Sequence, residues 1–139
     1  MKMKMKSIIR EKCLKGLLIV HNPQMDIIMN STLQAQVLEI IEYWISKPSA
    51  KEYNGKRWTY ITLKDWKRDY FPKAADNTIR KALNALKEKG VITVERLHPN
   101  KWVKTLSYSI NYDVLLPLIE RTMKTIWKSE RSYFLRKTE

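Results

Sequence analysis

The stretch from Trp66 to Gly90, WKRDYFPKAADNTIRKALNALKEKG, limits the possible folds of this chain more than any other segment. Ile79, Ala82, Leu83 and Leu86 recur at i, i+3, i+4 and i+7, the spacing of one buried face of a helix. The opposite face carries Asn77, Arg80, Lys81 and Asn84. Pro72 stops the helix before it, because proline cannot continue one. Asp76 stands where a carboxylate favours the positive end of the next helix, as its cap or its first residue. Gly90 is placed to take the left-handed conformation that closes that helix. VITVER then reads as a strand. The order is short helix, tight turn, helix, strand.

Upstream, Leu33, Val37, Leu38, Ile41, Trp44 and Ile45 predict a core helix ending near Ile45, with Asn30 or Ser31 as its cap. Leu17 to Ile28 is expected to be a short extended region broken at Asn22-Pro23, since proline disfavours helix at the residue before it. Lys47 to Lys56 contains Pro48, Asn54 and Gly55 and is expected to be a loop. Arg57 to Ile61 is short, aromatic and β-prone. Thr62 starts the next helix, with Asp65 three residues on completing a capping-box arrangement and Leu63 and Trp66 facing inward.

Downstream, Val91 to Glu95 and Thr105 to Tyr112 pair as strands. Ser107, Ser109 and Asn111 alternate with Leu106, Tyr108, Ile110 and Tyr112, the period of a strand buried on one face. The connection RLHPNKWVK turns at His98-Pro99-Asn100. Asp113 is expected to cap a last helix with apolar positions Leu116, Ile119, Met123, Ile126, Trp127 and Phe134, and with Pro117 in its first turn. Arg121, Lys124, Lys128, Arg131 and Arg136 lie along that helix.

Together these elements predict an α+β unit on the plan of a winged helix-turn-helix, with an N-terminal helix and a C-terminal helical extension. The expected divisions are a basic arm over 1–16, the winged helix-turn-helix over 17–112, and the C-terminal helix over 113–139. A chain of 139 residues suits one such domain with an appendage. Its 27 Lys and Arg against 14 Asp and Glu leave a net charge of +13. That excess favours a polyanionic partner, nucleic acid before an anionic membrane surface. The single cysteine, Cys13, excludes an intramolecular disulfide and suits a reducing cytosol. No apolar run approaches the roughly 20 residues that span a bilayer, so no membrane partner is expected. Gly16 to Val20 is shorter than the apolar region of about 7–15 residues in a signal peptide. The expected location is the cytoplasm, either in association with the nucleoid or in the cytoplasm of a host.

In such a frame the second helix reads base edges and the wing holds backbone. Arg80 can bridge guanine O6 and N7, while Asn77 or Asn84 can pair with adenine N6 and N7. Thr78 and Lys81 serve as further contacts. In the wing, Arg96, Lys101 and Lys104 are candidate phosphate ligands, and Trp102 either covers the sheet or meets a partner. Asp65 and Asp69, four apart, read as cap and surface ion pairs before they read as a metal site. His21, His98 and Cys13 lack any zinc-site spacing. No Walker-type loop and no nucleophile–base set occurs, so neither an enzyme nor a cofactor is expected.

From Arg57 to Tyr112 the chain resembles the winged-helix domain of phage and plasmid replication proteins, of the replisome-organiser and replication-initiator type. The resemblance rests on RWTYITLKDWKRDYFP, NTIRKALNALKEKGVI and YSINYDVL, taken in that order. It is carried by Trp58, Trp66, Phe71-Pro72, Thr78-Ile79-Arg80, the Leu86 to Gly90 helix end, and Tyr108 to Tyr112. The helix containing IIEYWI extends it over most of 17–115. It implies double-stranded DNA binding and a replication-associated or regulatory role in a mobile element. The other reading is a protein-interaction module on the same frame that does not read DNA, with Trp102, Trp127 and Phe134 as its surface. The C-terminal helix is a candidate homodimer contact, or packs on the helix of Leu33 to Ile45, or adds a phosphate contact.

Overall fold

A computed structural model describes residues 19–100 and 105–137, with side chains through Lys128. The basic arm, Cys13, Lys101, Trp102, Lys104 and the side chains of Arg131, Phe134 and Arg136 lie outside the described residues. Among the described residues the chain is α+β, with five α-helices and one four-stranded antiparallel sheet. The helices are α1 (Pro23–Met29), α2 (Thr32–Ile45), α3 (Leu63–Asp65), α4 (Asp76–Glu88) and α5 (Tyr112–Lys137). The strands are β1 (Lys51–Tyr53), β2 (Lys56–Tyr60), β3 (Ile92–Glu95) and β4 (Ser107–Ile110), in the order β1-β2-β4-β3.

The segment expected to be extended up to Ile28 holds α1 instead. Pro23 occupies its first turn, where the missing N–H costs nothing and the fixed φ suits a helix. The restraint that proline imposes falls only on Asn22, which is extended at φ −102° and ψ 114°. Asn30 closes α1 in the left-handed region at φ 55°. Ser31 then caps α2, accepting from the Gln34 amide at 3.2 Å.

The expected loop after α2 contains strand β1, joined to β2 by a two-residue turn. Asn54 and Gly55 both have positive φ, 51° and 73°, as a hairpin of right-handed twist requires. The β2 strand runs into the capping box: Asp65 N–H donates to Thr62 Oγ1 at 3.0 Å, and Thr62 N–H donates to Asp65 Oδ2 at 3.3 Å. From Trp66 to Tyr70 the helix widens into a π-helical segment, closed by Phe71 N–H on the Trp66 carbonyl at 2.9 Å.

Helix α4 buries Ile79, Ala82, Leu83 and Leu86. Full burial of an Ile or Leu side chain contributes about 1.5–3 kcal/mol. Its end is a Schellman motif about Gly90 at φ 76°, with Val91 N–H on Leu86 O at 3.2 Å and Gly90 N–H on Lys87 O at 3.0 Å. These buried residues join Val37, Leu38 and Ile41 of α2 and Ile92, Tyr108 and Ile110 of the sheet in one core. Trp66 is fully buried there, with Phe71 stacked beside it and Tyr108 meeting it edge-on.

Strand β4 departs from the half-exposed pattern: Ser107 and Ser109 are buried as well as Tyr108 and Ile110. It is an inner strand, paired with β2 on one side and β3 on the other. Ser109 is buried without cost because its hydroxyl donates to the Arg57 carbonyl at 2.8 Å.

Helix α5 begins one residue before Asp113, and the Asn111 carbonyl accepts from Val114 and Leu115. Asp113 therefore lies in the first turn, not at the cap, and Pro117 falls in the second turn. Leu115, Leu118 and Ile119 of α5 pack on the core, and Met123 and Ile126 farther along are half-buried. Leu116 and Trp127, expected to face inward, are 50% and 60% exposed. The helix packs on α1, which the sequence reading lacked. Its tie to α2 is polar, Tyr112 Oη donating to Glu42 at 3.1 Å. Burial, then the Glu42 charge, push the Tyr112 phenol up to about 12.

Candidate nucleic-acid interface

The π-helical segment and α4 are braced through their charges. Lys67 Nζ meets the Asp76 carboxylate at 2.9 Å. The hydrogen bond and charge of Lys67, with Arg80 behind it, lower the Asp76 pKa below its usual value. Asp76 is the first residue of α4, and Ala75 holds the cap position without a side-chain bond. Arg68 reaches Asp69 at 2.8 Å and Asp65 at 3.0 Å. Those carboxylates raise the Arg68 pKa. Asp65 and Asp69 thus serve a cap and an ion-pair cluster, and no metal-binding group of three occurs among the described residues.

Helix α4 turns its other face to solvent. Asn77, Thr78, Arg80, Lys81 and Asn84 are all exposed. The buried stripe explains this orientation: with Ile79, Leu83 and Leu86 held in the core, positions 77, 80, 81 and 84 point away from it. The side chains of Arg80, Lys81, Asn84 and Lys87 make no hydrogen bond or ion pair among the described residues.

A shallow groove runs between α4 and the start of the β3–β4 connection. Arg80, Asn84 and Lys87 line one wall and Val94, Glu95 and Arg96 the other, with Leu106 and Tyr108 at its base. Arg80 also borders a second groove against Leu63 and Trp66. The structure therefore brings Arg80, Asn84 and Arg96 to one groove. Asn77, Thr78 and Lys81 continue the exposed face of α4. Lys101 and Lys104 are outside the described residues. His98 is exposed in the β3–β4 connection, its Nδ1 accepting from the Asn100 amide at 3.1 Å.

Sequence reasoning missed Lys87. It follows Arg80 by seven and Asn84 by three, so the same helical period that selected those two would have found it. Lys89, two residues on, has a different fate. Its ammonium binds the Met29 carbonyl and Gln34 Oε1, anchoring the end of α4 to α1 and α2. Partial burial lowers its pKa.

Asn111 is a second residue that local pattern did not single out. It joins three elements, donating to Gly90 O at 2.8 Å and accepting from Thr93 Oγ1 at 2.9 Å and Lys56 Nζ at 2.6 Å. It fixes β4 and the start of α5 against the end of α4, and so helps set the angle at which α4 is presented.

No helix among the described residues is long and apolar enough to cross a membrane. No protein-family model, curated protein or solved structure matches the chain.

Proposed function

We propose that this chain is a winged helix-turn-helix protein that binds double-stranded DNA, with α4 in the major groove and the β3–β4 connection as the wing. The observation that carries this reading is the bare polar face of α4. Five exposed side chains able to hydrogen-bond or neutralise phosphate stand on one helix face that the core itself orients. The strand arrangement supports it: β2 before the two helices pairs with β4, and β3 and β4 form the hairpin after them. Arg80 and the two asparagines suit base edges; Lys81, Lys87 and Arg96 suit backbone.

Duplex affinity should fall with rising salt. If about six phosphates are neutralised, the slope of log affinity on log salt is near −5. A fluorescence-anisotropy titration in which no duplex binds in a salt-dependent way would end the proposal. Selection from a random duplex pool would recover the preferred site, and a palindromic one would identify a homodimer. A place in the replication or regulation of a mobile element rests on the sequence resemblance alone.

One observation favours a second reading, a protein-interaction module. Trp127 is 60% exposed on α5, off the stripe that packs inward. A stoichiometric partner retained at high salt, unaffected by Arg80→Glu and Lys81→Glu, would support that module over DNA reading.

A further inference from the structure

We propose that the outer face of the sheet is a separate site for unpaired nucleic acid, binding a single strand by stacking its bases on Tyr60. In the β1–β2 hairpin Lys51 faces Trp58 and Tyr53 faces Lys56. Tyr60 faces Ser107 across β4. The alternation of strand side chains puts Lys51, Tyr53, Lys56, Trp58 and Tyr60 on one face, opposite the core residues Tyr108 and Ile110. Tyr53 is 52% exposed and Tyr60 64% exposed, and neither ring has a hydrogen-bond or aromatic partner among the described residues.

This face is recessed. Lys51, Trp58, Tyr60, Ser107 and His98 line a cleft of about 640 Å³ between the hairpin and the wing. That volume lies within the range of about 300–1,000 Å³ that holds small organic ligands, so a nucleotide fits. Trp58 is the floor, held by its indole N–H on the Tyr53 carbonyl at 3.1 Å. Tyr60 is the free ring on the wall. Lys51 supplies positive charge on the hairpin side of the cleft, while Lys56, on the same face nearer the turn, is held by Asn111. Two acids lie near this face. Glu52 turns to the other face and pairs with Arg57 at 3.2 Å, and Glu95 shares the outer face but stands on the edge strand β3, one strand beyond Ser107 from Tyr60.

Exposed aromatics flanked by cations suit a strand whose bases are open. In a duplex the base faces are already stacked on one another and cannot reach Tyr60. The site is also independent of α4, which lies on the other side of the sheet with the core. The proposal therefore stands whether or not α4 reads a duplex.

The test uses the full chain and three labelled probes: a short oligothymidylate, an abasic strand of equal length, and a duplex. Oligothymidylate should bind more tightly than the abasic strand. Tyr60→Ala should weaken oligothymidylate binding by about 5- to 150-fold, the factor of one stacked base, and leave duplex binding unchanged. Tyr60→Phe should keep the affinity, because the ring and not the hydroxyl is used. Circular dichroism checks that these exposed-site variants stay folded. Equal binding of the abasic strand, an unchanged oligothymidylate affinity in Tyr60→Ala, or its loss in Arg80→Ala instead would each overturn the proposal. An extended peptide that occupies the cleft when oligothymidylate does not would overturn it too. Loss of duplex binding alone, with oligothymidylate still bound, would count against the α4 reading and not this one.

Discussion

The two helical segments that precede β3 carry similar cations in opposite circumstances. In the segment from Leu63 to Tyr70, Arg68 is paired with Asp65 and Asp69, and Lys67 with Asp76. On α4, Arg80, Lys81 and Lys87 have no ion-pair partner among the described residues. Composition alone calls both basic. The difference is that Arg68 is neutralised within its own segment and Lys67 bridges to α4, while α4 keeps its charge for whatever docks there. Only the second kind of cation contributes to counterion release on binding a polyanion. The apolar sides differ as well: the first segment is anchored by one large ring, Trp66, and α4 by four smaller side chains spread along its length.

The largest effect that tests this contrast is on stability. Trp66→Ala removes a fully buried ring among Tyr70, Phe71 and Tyr108. It should lower the unfolding free energy by about 3–5 kcal/mol, read by urea denaturation. A loss of under about 1 kcal/mol would mean that α4 does not depend on the first segment for its placement.

Next in size is the pair Arg80→Ala and Arg68→Ala. Arg80→Ala should cost about 1–3 kcal/mol of binding to a selected duplex site, with stability unchanged. Arg68→Ala should leave duplex affinity unchanged, because its charge is already met inside the protein. Equal losses of duplex affinity in the two variants would erase the contrast. An Arg80→Ala loss that is the same on selected and random duplexes would make Arg80 a phosphate anchor instead of a base reader.

A smaller effect is due at the start of the first segment. Thr62→Ala removes the hydroxyl that accepts from the Asp65 amide. The expected cost is about 0.5–2 kcal/mol in thermal or urea unfolding. Since Asp65 also pairs with Arg68, the double variant Thr62→Ala, Arg68→Ala should lose less than the sum of the singles. Strict additivity would show that cap and ion pair act independently.

How far the sequence reveals this molecule depends on the range of the interactions involved. The Thr62–Asp65 cap, the left-handed Gly90 and the α4 stripe are legible because each depends on residues within seven of one another. The exposed face of α4 follows from that stripe by exclusion. Helix α1 was not legible from periodicity, because seven residues make fewer than two turns. Its real signal is Pro23 at a permissible first position, which competes with the rule for the residue before proline. Strand β1 had a signal too, Asn54-Gly55, which marks a hairpin and not merely a loop. Ser107 and Ser109 mislead because alternation reports polarity, not exposure. On an inner strand a serine that bonds a neighbouring carbonyl is buried as readily as an alanine. The α5 stripe slipped by a residue because its partner is α1, and without α1 nothing decides which face turns inward.

The smallest predicted effect concerns a third cation, one whose charge is lost as pH rises. His21 lies between two carboxylates, Nδ1 on Glu39 and Nε2 on Asp26 at 3.1 Å. Across the adjoining cleft are Asp69 and Tyr70. The hydrogen bond to Glu39 raises the His21 pKa above its ordinary 6.5, more than burial lowers it, and Asp26 adds to the rise. The folded state therefore binds the proton more tightly than the unfolded chain does. Its stabilising contribution is full below the unfolded pKa and is lost as pH rises through the folded one. Unfolding midpoints in urea should thus fall modestly as pH climbs from below 6.5 into the mildly alkaline range. In His21→Gln that slope should flatten, while the duplex affinity of α4 at fixed pH stays the same. A midpoint that rises with pH over this window, or an undiminished slope in His21→Gln, would show that His21 is not held as a cation. The 19–22 segment would then be held on α2 by the bonds of Asn22 to Glu39 and the packing of Ile19.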